Sequence, residues 1–350
     1  MKKIHISVVG PGLIGKKHIE LIKERTDVTL CSIVAPDHIE NHSIAKSLDV
    51  KIFFDLDTCI KNKNPDGIII ASPNEFHFEQ ASMCIKCGIP VLVEKPITSD
   101  LKDAQALVRL VEKYDAKVLV GHHRNHSPLL SAAKEVINSG HLGQIVSVIG
   151  SAQFYKPKQY FLDGPWRTQP GGGPLLINMI HEIGNMRKLI GEINAVQAIA
   201  TSRIRNFPVE ETVAINFAFE NGVIGTFLIS DTAASCQSWE QTSLENPAYP
   251  HYPGEHCYTI TGTLGTLYFP TMKIHYHELG SEASWWKPML TTELAVIHKD
   301  PLKCQLDHFV AVINHQEKPI VSAKDGYRNL FIIEAIKKSI EEQSLIYIEP

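Results

Sequence analysis

At 350 residues the chain has room for two domains, and 44% hydrophobic with 21% charged residues is the balance of a protein with folded cores. Its 22 Gly and 20 Pro are scattered without period, which excludes a collagen-like repeat, an all-helical coiled coil and a disordered chain. The net charge of −4, from 38 acids against 34 bases, offers no basic face and argues against nucleic acid as a partner.

The start pairs two lysines with an apolar run, as a short signal peptide does. That run alternates Ile4, Ile6 and Val8 and then breaks into glycines, which a buried strand explains better. No stretch reaches the roughly 18 apolar residues of a membrane span, so no membrane association is expected. The 7 cysteines are odd in number and unevenly spaced, which reads as reduced thiols and a cytoplasmic protein. Cys84 and Cys87 form a C-x-x-C at the end of a predicted helix with no second pair nearby, and chance spacing accounts for it better than a metal or redox site.

Through the first third, short apolar runs alternate with helical periods. Strands are expected over 4–9, 28–34, 67–71, 91–93 and 117–121, and helices over 13–24, 38–48, 76–87 and 101–114. Such alternation builds a parallel sheet covered on both faces. After Gly121 the rhythm changes. A helix over 128–139 and a long strand over 144–154 precede a glycine-rich loop at 171–173, which opens a helix running to 190. Strand-like segments then follow one another at 195–202, 212–219, 223–230, 256–261, 266–269 and 273–277. Asn221-Gly222 is the strongest hairpin signal among them. Helices return over 302–314 and 326–342. The fold class is therefore α/β. A doubly wound parallel sheet is expected over 1–122, and an α+β domain with a large, mostly antiparallel sheet over 123–350.

Gly10-Pro11-Gly12-Leu13-Ile14-Gly15 is a G-x-G-x-x-G between the first strand and the first helix. The first glycine suits a tight turn, and the second lets a pyrophosphate approach the backbone. The third lets helix and strand pack, while the helix N-terminus supplies partial positive charge. A dinucleotide is the expected ligand. An acid normally follows about 20 residues later to hold the adenosine ribose. Here Ala35 stands at that place, and Asp37 comes two residues late, either reaching the ribose from the loop or capping the next helix. With no Arg or Lys nearby for a 2′-phosphate, NAD is favoured and NADP stays open.

Two clusters lie just past strand ends, where a doubly wound sheet exposes its ligand crevice. One is Ser72, Pro73 and Asn74 with His77; the other is Glu94-Lys95-Pro96. A lysine after a strand and before a proline is held in place and aimed at the crevice; an exposed lysine in a turn is the alternative. His122, His123 and His126 could be taken for metal ligands. Neighbours on a strand point to opposite faces, so no metal is expected. Trp239, Tyr249 and Tyr252 sit among polar residues in 233–252, which reads as a loop that covers substrate or meets a neighbouring subunit.

Taken together, GPGLIG at 10–15, PDGIIIASPNEFH at 65–77, VLVEKPIT at 91–98, VGHHRNHSP at 120–128, PWRTQPGGG at 165–173 and the H-E-I segment from His181 resemble the Gfo/Idh/MocA family, that of glucose–fructose oxidoreductase and inositol dehydrogenase. The likeness spans nearly the whole chain. It implies a Rossmann domain followed by an open-faced sheet that carries the substrate site and commonly the interface of a homodimer or homotetramer. It also implies hydride transfer between nicotinamide and a carbon bearing oxygen in a sugar, polyol or cyclic alcohol. Lys95 matches the family's lysine at the junction of nicotinamide and substrate, and His181 its histidine.

One departure stands out. The family often carries an Asp four residues before this histidine, and here that residue is Ile177, with Asn178 beside it. An amide can hydrogen-bond a substrate hydroxyl but cannot serve as a base, which leaves the proton to Lys95 and His181. Arg124, Trp166 and Arg167 are further substrate candidates, because an indole face with a guanidinium suits a polyhydroxylated or carboxylated ring; packing or ion pairing is the alternative for each. Two competing functions carry weight: a dinucleotide-binding regulator of the same fold that turns nothing over, favoured by the lost Asp, and an NAD-dependent glycosidase that regenerates its cofactor.

Overall fold

The computed structural model describes residues 3–349; Met1, Lys2 and Pro350, which include one lysine of the signal-like start and both ends of the two expected domains, lie outside them. In chain order the elements are β1 (Ile4–Val9), α1 (Leu13–Lys23), β2 (Val28–Val34), α2 (Ile39–Leu48), β3 (Lys51–Phe53), α3 (Leu56–Lys63), β4 (Gly67–Ile70), α4 (His77–Lys86), β5 (Val91–Val93), α5 (Leu101–Tyr114) and β6 (Val118–Val120). There follow α6 (Pro128–Asn138), β7 (Ile145–Gln153), α7 (Lys158–Leu162), α8 (Ile180–Leu189), β8 (Ile193–Thr201), β9 (Thr212–Phe219), β10 (Ile224–Ser230) and α9 (Trp239–Thr242). The chain closes with β11 (Tyr258–Gly262), β12 (Gly265–Phe269), β13 (Lys273–Tyr276), β14 (Leu290–Glu293), α10 (Pro301–Ile313), α11 (Ala323–Glu342) and β15 (Ile346–Tyr347).

The chain divides into two compact units, Met1–His123 with Leu302–Leu330, and Arg124–Pro301 with Phe331–Pro350. Sequence reading places everything after residue 122 in one domain; in the structure most of α10 and the start of α11 pack with the first unit. Ile313 Cδ1 and the Phe309 ring, for instance, reach the backbone at Gly67 in β4 so closely that a Cβ there would collide with them.

The first unit holds a six-stranded sheet in the order β3-β2-β1-β4-β5-β6, with every pairing parallel. Strands β4, β5 and β6 are buried along their whole length, the mark of strands covered on both faces. The order reverses between β1 and β4, and at that switch point the carboxyl ends of two neighbouring strands diverge and leave a crevice.

The second unit holds a nine-stranded sheet, β14-β13-β12-β11-β7-β10-β9-β8-β15, antiparallel throughout except for the β7–β10 pair. Burial alternates along β9 and β10, so one face is covered and the other is not. The covered face packs Val213, Ile215, Phe217 and Phe227 against Ile183 and Met186 of α8 and Ile332, Ile333 and Ile336 of α11. At about 25 cal/mol per Å², burying side chains of this size is the main stabilising term of the unit. No helix among the described residues is long and apolar enough to cross a membrane.

Two expectations are corrected by the structure. The segment 233–252 is not simply a loop: it carries α9, and Trp239 is 4% exposed, packed on Phe269 with ring centroids 5.4 Å apart. The helix after the glycine loop does not begin as an α-helix. Leu175–Met179 is a π turn, and α-helical geometry starts at Ile180.

Candidate active site

The nucleotide end of the first unit is built by the glycine motif. Gly10 sits at φ +81°, a left-handed conformation that L side chains rarely adopt, and a Cβ there would lie 2.7 Å from the Ser72 backbone. A Cβ on Gly15 would run into the Gly10 carbonyl oxygen. Gly10 and Gly15 are thus demanded by the protein itself, through the close approach of β1, α1 and the end of β4. Gly12 is different. It caps α1 at φ −73°, and a Cβ there would meet nothing within 4 Å. Neither strain nor crowding requires glycine at this position, and the free space above it, at a helix N-terminus, is of the kind a dinucleotide pyrophosphate needs. Leu13, the first residue of the helix, is 87% exposed, while Ile14 is half-buried.

Asp37 does not cap α2. His38 occupies the N-cap position without a side-chain hydrogen bond, and the exposed Asp37 carboxylate instead accepts from His42 Nε2 at 2.7 Å. That bond joins the loop to the next helix and leaves the carboxylate at the surface past β2.

Past β4, Ser72 Oγ donates to Gln80 Oε1 at 2.6 Å, while Pro73 and Asn74 open a 3₁₀ turn that leads into α4. His77 is buried, and its two ring nitrogens lie 2.9 Å from the Pro96 and Ser72 carbonyl oxygens. Burial holds its pKa below the usual histidine range, against the pull of those two carbonyls. The imidazole therefore ties the loop after β4 to the loop after β5.

Glu94 is likewise buried. It accepts from His18 Nε2 of α1 at 2.8 Å and from the Lys95 amide at 3.3 Å. A Cβ at Gly121, past β6, would stand 2.8 Å from its Oε2. Lys95 follows, half-buried, with its peptide bond to Pro96 cis. The Lys95 backbone is thus gripped on one side through Glu94 and on the other through Pro96. His18 went unrecognised in the sequence; its signal is a lone histidine on the same buried helical stripe as Ile19 and Ile22.

In the second unit, the turn after Gly173 is held by Glu210, whose Oε1 accepts from the Leu175 amide at 3.0 Å; burial raises the pKa of this carboxyl. His181 lies in the first turn of α8 and is 5% exposed. Asn178 accepts at Oδ1 from Lys156 Nζ, 2.8 Å away. Trp166 is exposed at 57%, and the Arg167 guanidinium lies over both the Trp166 and Tyr160 rings while donating to the Tyr160 carbonyl at 2.5 Å.

Arg124 stands apart from these. It is 2% exposed, donates to Glu182 at 2.5 Å and also to Glu240, and lies over the Trp239 ring. Burial opposes its charge but is outweighed by the two carboxylates, so its pKa is raised. Glu182 also accepts from the buried Tyr258 hydroxyl. The guanidinium is engaged by these internal partners; Glu182 belongs to the H-E-I segment, whereas Glu240 and Tyr258 carry no motif in the sequence. Of the suspected metal trio, His122 is buried and its Nε2 is 3.2 Å from Asn329 Nδ2. No group of three or more metal-binding side chains occurs among the described residues.

Comparison with known proteins agrees with this architecture. Residues 4–122 match the model of the Gfo/Idh/MocA oxidoreductase family with its NAD-binding Rossmann fold, and residues 130–268 match the family's C-terminal domain. The chain belongs to the Gfo/Idh/MocA oxidoreductases, and its first domain is an NAD(H)-binding Rossmann domain. Among relatives, an inositol 2-dehydrogenase of Rhizobium meliloti is 21% identical over 347 residues, 99% of each chain. A 2,7-anhydro-N-acetylneuraminate hydratase of Mediterraneibacter gnavus is 26% identical over 191 residues, 55% of this chain and 50% of that protein, so the chain spans about half the length of this relative. Among solved structures, the WlbA dehydrogenase of Bordetella pertussis in complex with NADH and UDP-GlcNAcA superposes with a TM-score of 0.78 at 20% identity over 100% of both chains. An Agrobacterium radiobacter oxidoreductase in complex with NAD⁺, L-tartaric acid and magnesium gives 0.80 at 16% identity, over 99% of this chain and 98% of the other.

Proposed function

We propose that the protein is an NAD-dependent dehydrogenase that interconverts a secondary alcohol and a ketone in a sugar, polyol or related cyclic substrate. The observation that carries this reading is Gly12, a glycine that the fold does not itself require, standing at the N-terminus of α1 beside the switch point of the sheet. Gly10, Gly12 and Gly15, with Leu13 and Ile14, would hold the dinucleotide, and Ser72, Pro73, Asn74 and Glu94 border the same strand ends. A bound NAD⁺ would supply the acceptor for the hydride of the alcohol carbon. The chain's own groups handle the proton. Lys95, with its backbone held through Glu94 and Pro96, and His181 on α8 match the family's pair at that step. Trp166, Arg167 and Asn178 are placed as substrate contacts, and Arg124 as a residue that positions the start of α8 through Glu182. The uncovered sheet face, with Val146, Ile149, Ile199 and Ile224 exposed, is where copies of the chain would meet.

A panel of sugars, inositols, sugar acids and cyclic diols, followed by nicotinamide absorbance with NAD⁺, tests the proposal. Net NADH formation with a member of the panel is the expected result. A second reading, a reaction that regenerates its cofactor and gives no net oxidation, takes support from the hydratase relative, whose name describes no net oxidation. Substrate consumption without NADH accumulation would overturn the first reading in its favour.

A further inference from the structure

Lys156 follows β7 and precedes Pro157, the same placement after a strand and before a proline that marks Lys95. Its ammonium lies 2.8 Å from Asn178 Oδ1 and 3.7 Å from Asp231 Oδ2, above the Tyr160 ring at 4.9 Å and the Phe154 ring at 5.3 Å. Asp231 is taken more closely by Arg205, which also donates to the Lys156 and Asp231 carbonyls, each bond at 2.7–2.8 Å. The Lys156 main chain is pinned in turn, its amide donating to the Asp231 carbonyl at 2.9 Å. The ammonium is therefore a fixed cation that donates to an amide oxygen three residues before His181.

That bond decides what Asn178 can do. An amide side chain carries an acceptor oxygen and a donor nitrogen, and here the oxygen is engaged by Lys156. The Nδ2 group makes no hydrogen bond with the described residues and is not sealed off from solvent. A cation on the carbonyl oxygen also draws electron density from the amide nitrogen, which makes its N–H a stronger donor. At the turn where relatives often carry an acid, this chain presents a polarised donor backed by a positive charge. A hydroxyl there would gain a neutral hydrogen bond, whereas a carboxylate would gain the stronger charge-assisted one.

We propose that the Lys156–Asn178 pair is a specificity element that selects a substrate bearing a carboxylate over its neutral hydroxymethyl counterpart. The proposal rests on the reading that the helix of His181 faces the substrate, and deepens it by naming a substrate class.

The test uses matched pairs that differ in that group: D-glucuronate with D-glucose, D-galacturonate with D-galactose, and L-tartrate with L-threitol. Each is titrated by calorimetry into the full-length protein saturated with NADH. The acid of at least one pair is expected to bind roughly tenfold more tightly than its neutral partner, the difference between a charged and a neutral hydrogen bond. Asn178→Asp sets a carboxylate in place of the donor and should abolish or invert the preference. Lys156→Met leaves Arg205 on Asp231, so no carboxylate is stranded, and should cut the preference to within about twofold. Neither change should alter NADH affinity. Equal or weaker binding of the acid in every pair, absence of binding by any acid at millimolar concentration, or an unchanged preference in Asn178→Asp would each overturn the proposal. Failure of the dehydrogenase reading shows itself differently, as an acid that binds with this preference yet yields no NADH when supplied with NAD⁺.

Discussion

A methyl group placed on Gly12 would meet nothing within 4 Å, whereas one on Gly10 or Gly15 would collide with backbone. The three glycines of the motif therefore separate into two that the fold needs and one that it does not, for which the proposed nucleotide site accounts. Gly12→Val should cost about 1 kcal/mol of stability and leave the protein folded, since valine is disfavoured relative to glycine at a helix N-cap but meets no crowding there. It should weaken NAD⁺ binding by about 100-fold or more in calorimetry, because the isopropyl group would fill the pyrophosphate cradle. A folded variant with unchanged affinity would remove the central support of the nucleotide assignment. The other choice at this end is NAD⁺ against NADP⁺. The exposed Asp37 carboxylate past β2 repels a 2′-phosphate, and neither Arg nor Lys stands beside it in sequence. Thermal-shift titrations at equal concentration should show larger stabilisation by NAD⁺, and the reverse order would mean that a cation from elsewhere reaches the ribose. These residues were legible because the glycine spacing encodes a backbone shape. The partners of His77 and Glu94 were not, since His77 meets the carbonyl oxygens of two separate loops and Glu94 meets a helix far away in sequence. Lys156 was legible in principle, through the very pattern that singled out Lys95.

Helices and strands were readable where their burial is periodic or continuous, as in β1, α5, β9 and β10. They were missed where the signal is short or absent. β3 has three residues, α3 is largely polar, and β14 is exposed at every position, so it shows no alternation at all. At this scale the buried cluster under α8 makes two predictions. Arg124→Met strands Glu182 and Glu240 without their cation and should destabilise the second unit by about 3–5 kcal/mol, seen as a lower denaturant midpoint; a loss under 1 kcal/mol would mean that the pair contributes little. Glu245 is 6% exposed, accepts from Ser127, and burial pushes its carboxyl up to about 7. A carboxyl raised in the folded state stabilises it below the unfolded pKa and loses that contribution as pH rises through the folded value. Stability should therefore fall between about pH 5 and pH 8, by up to about 3 kcal/mol from this group. Glu245→Gln should flatten that slope, and an identical pH profile in the variant would refute the assignment.

For the whole molecule, the two kinds of sheet could be read from the sequence because parallel and antiparallel sheets leave different signatures, continuous apolar runs in one and alternation in the other. The membership of 302–330 in the first unit could not, since helix periodicity shows which face is apolar but not which sheet it meets. In the proposed reaction Lys95 and His181 are the groups that handle the proton. Measuring kcat and KM across pH for the wild type, Lys95→Ala and His181→Ala, with whichever substrate first yields NADH, tests that claim most directly. The account predicts that each variant loses at least about 100-fold in kcat with little change in KM, and that the limb of the pH profile belonging to the missing group disappears. A His181→Ala enzyme with wild-type kcat and an unaltered pH profile would contradict it.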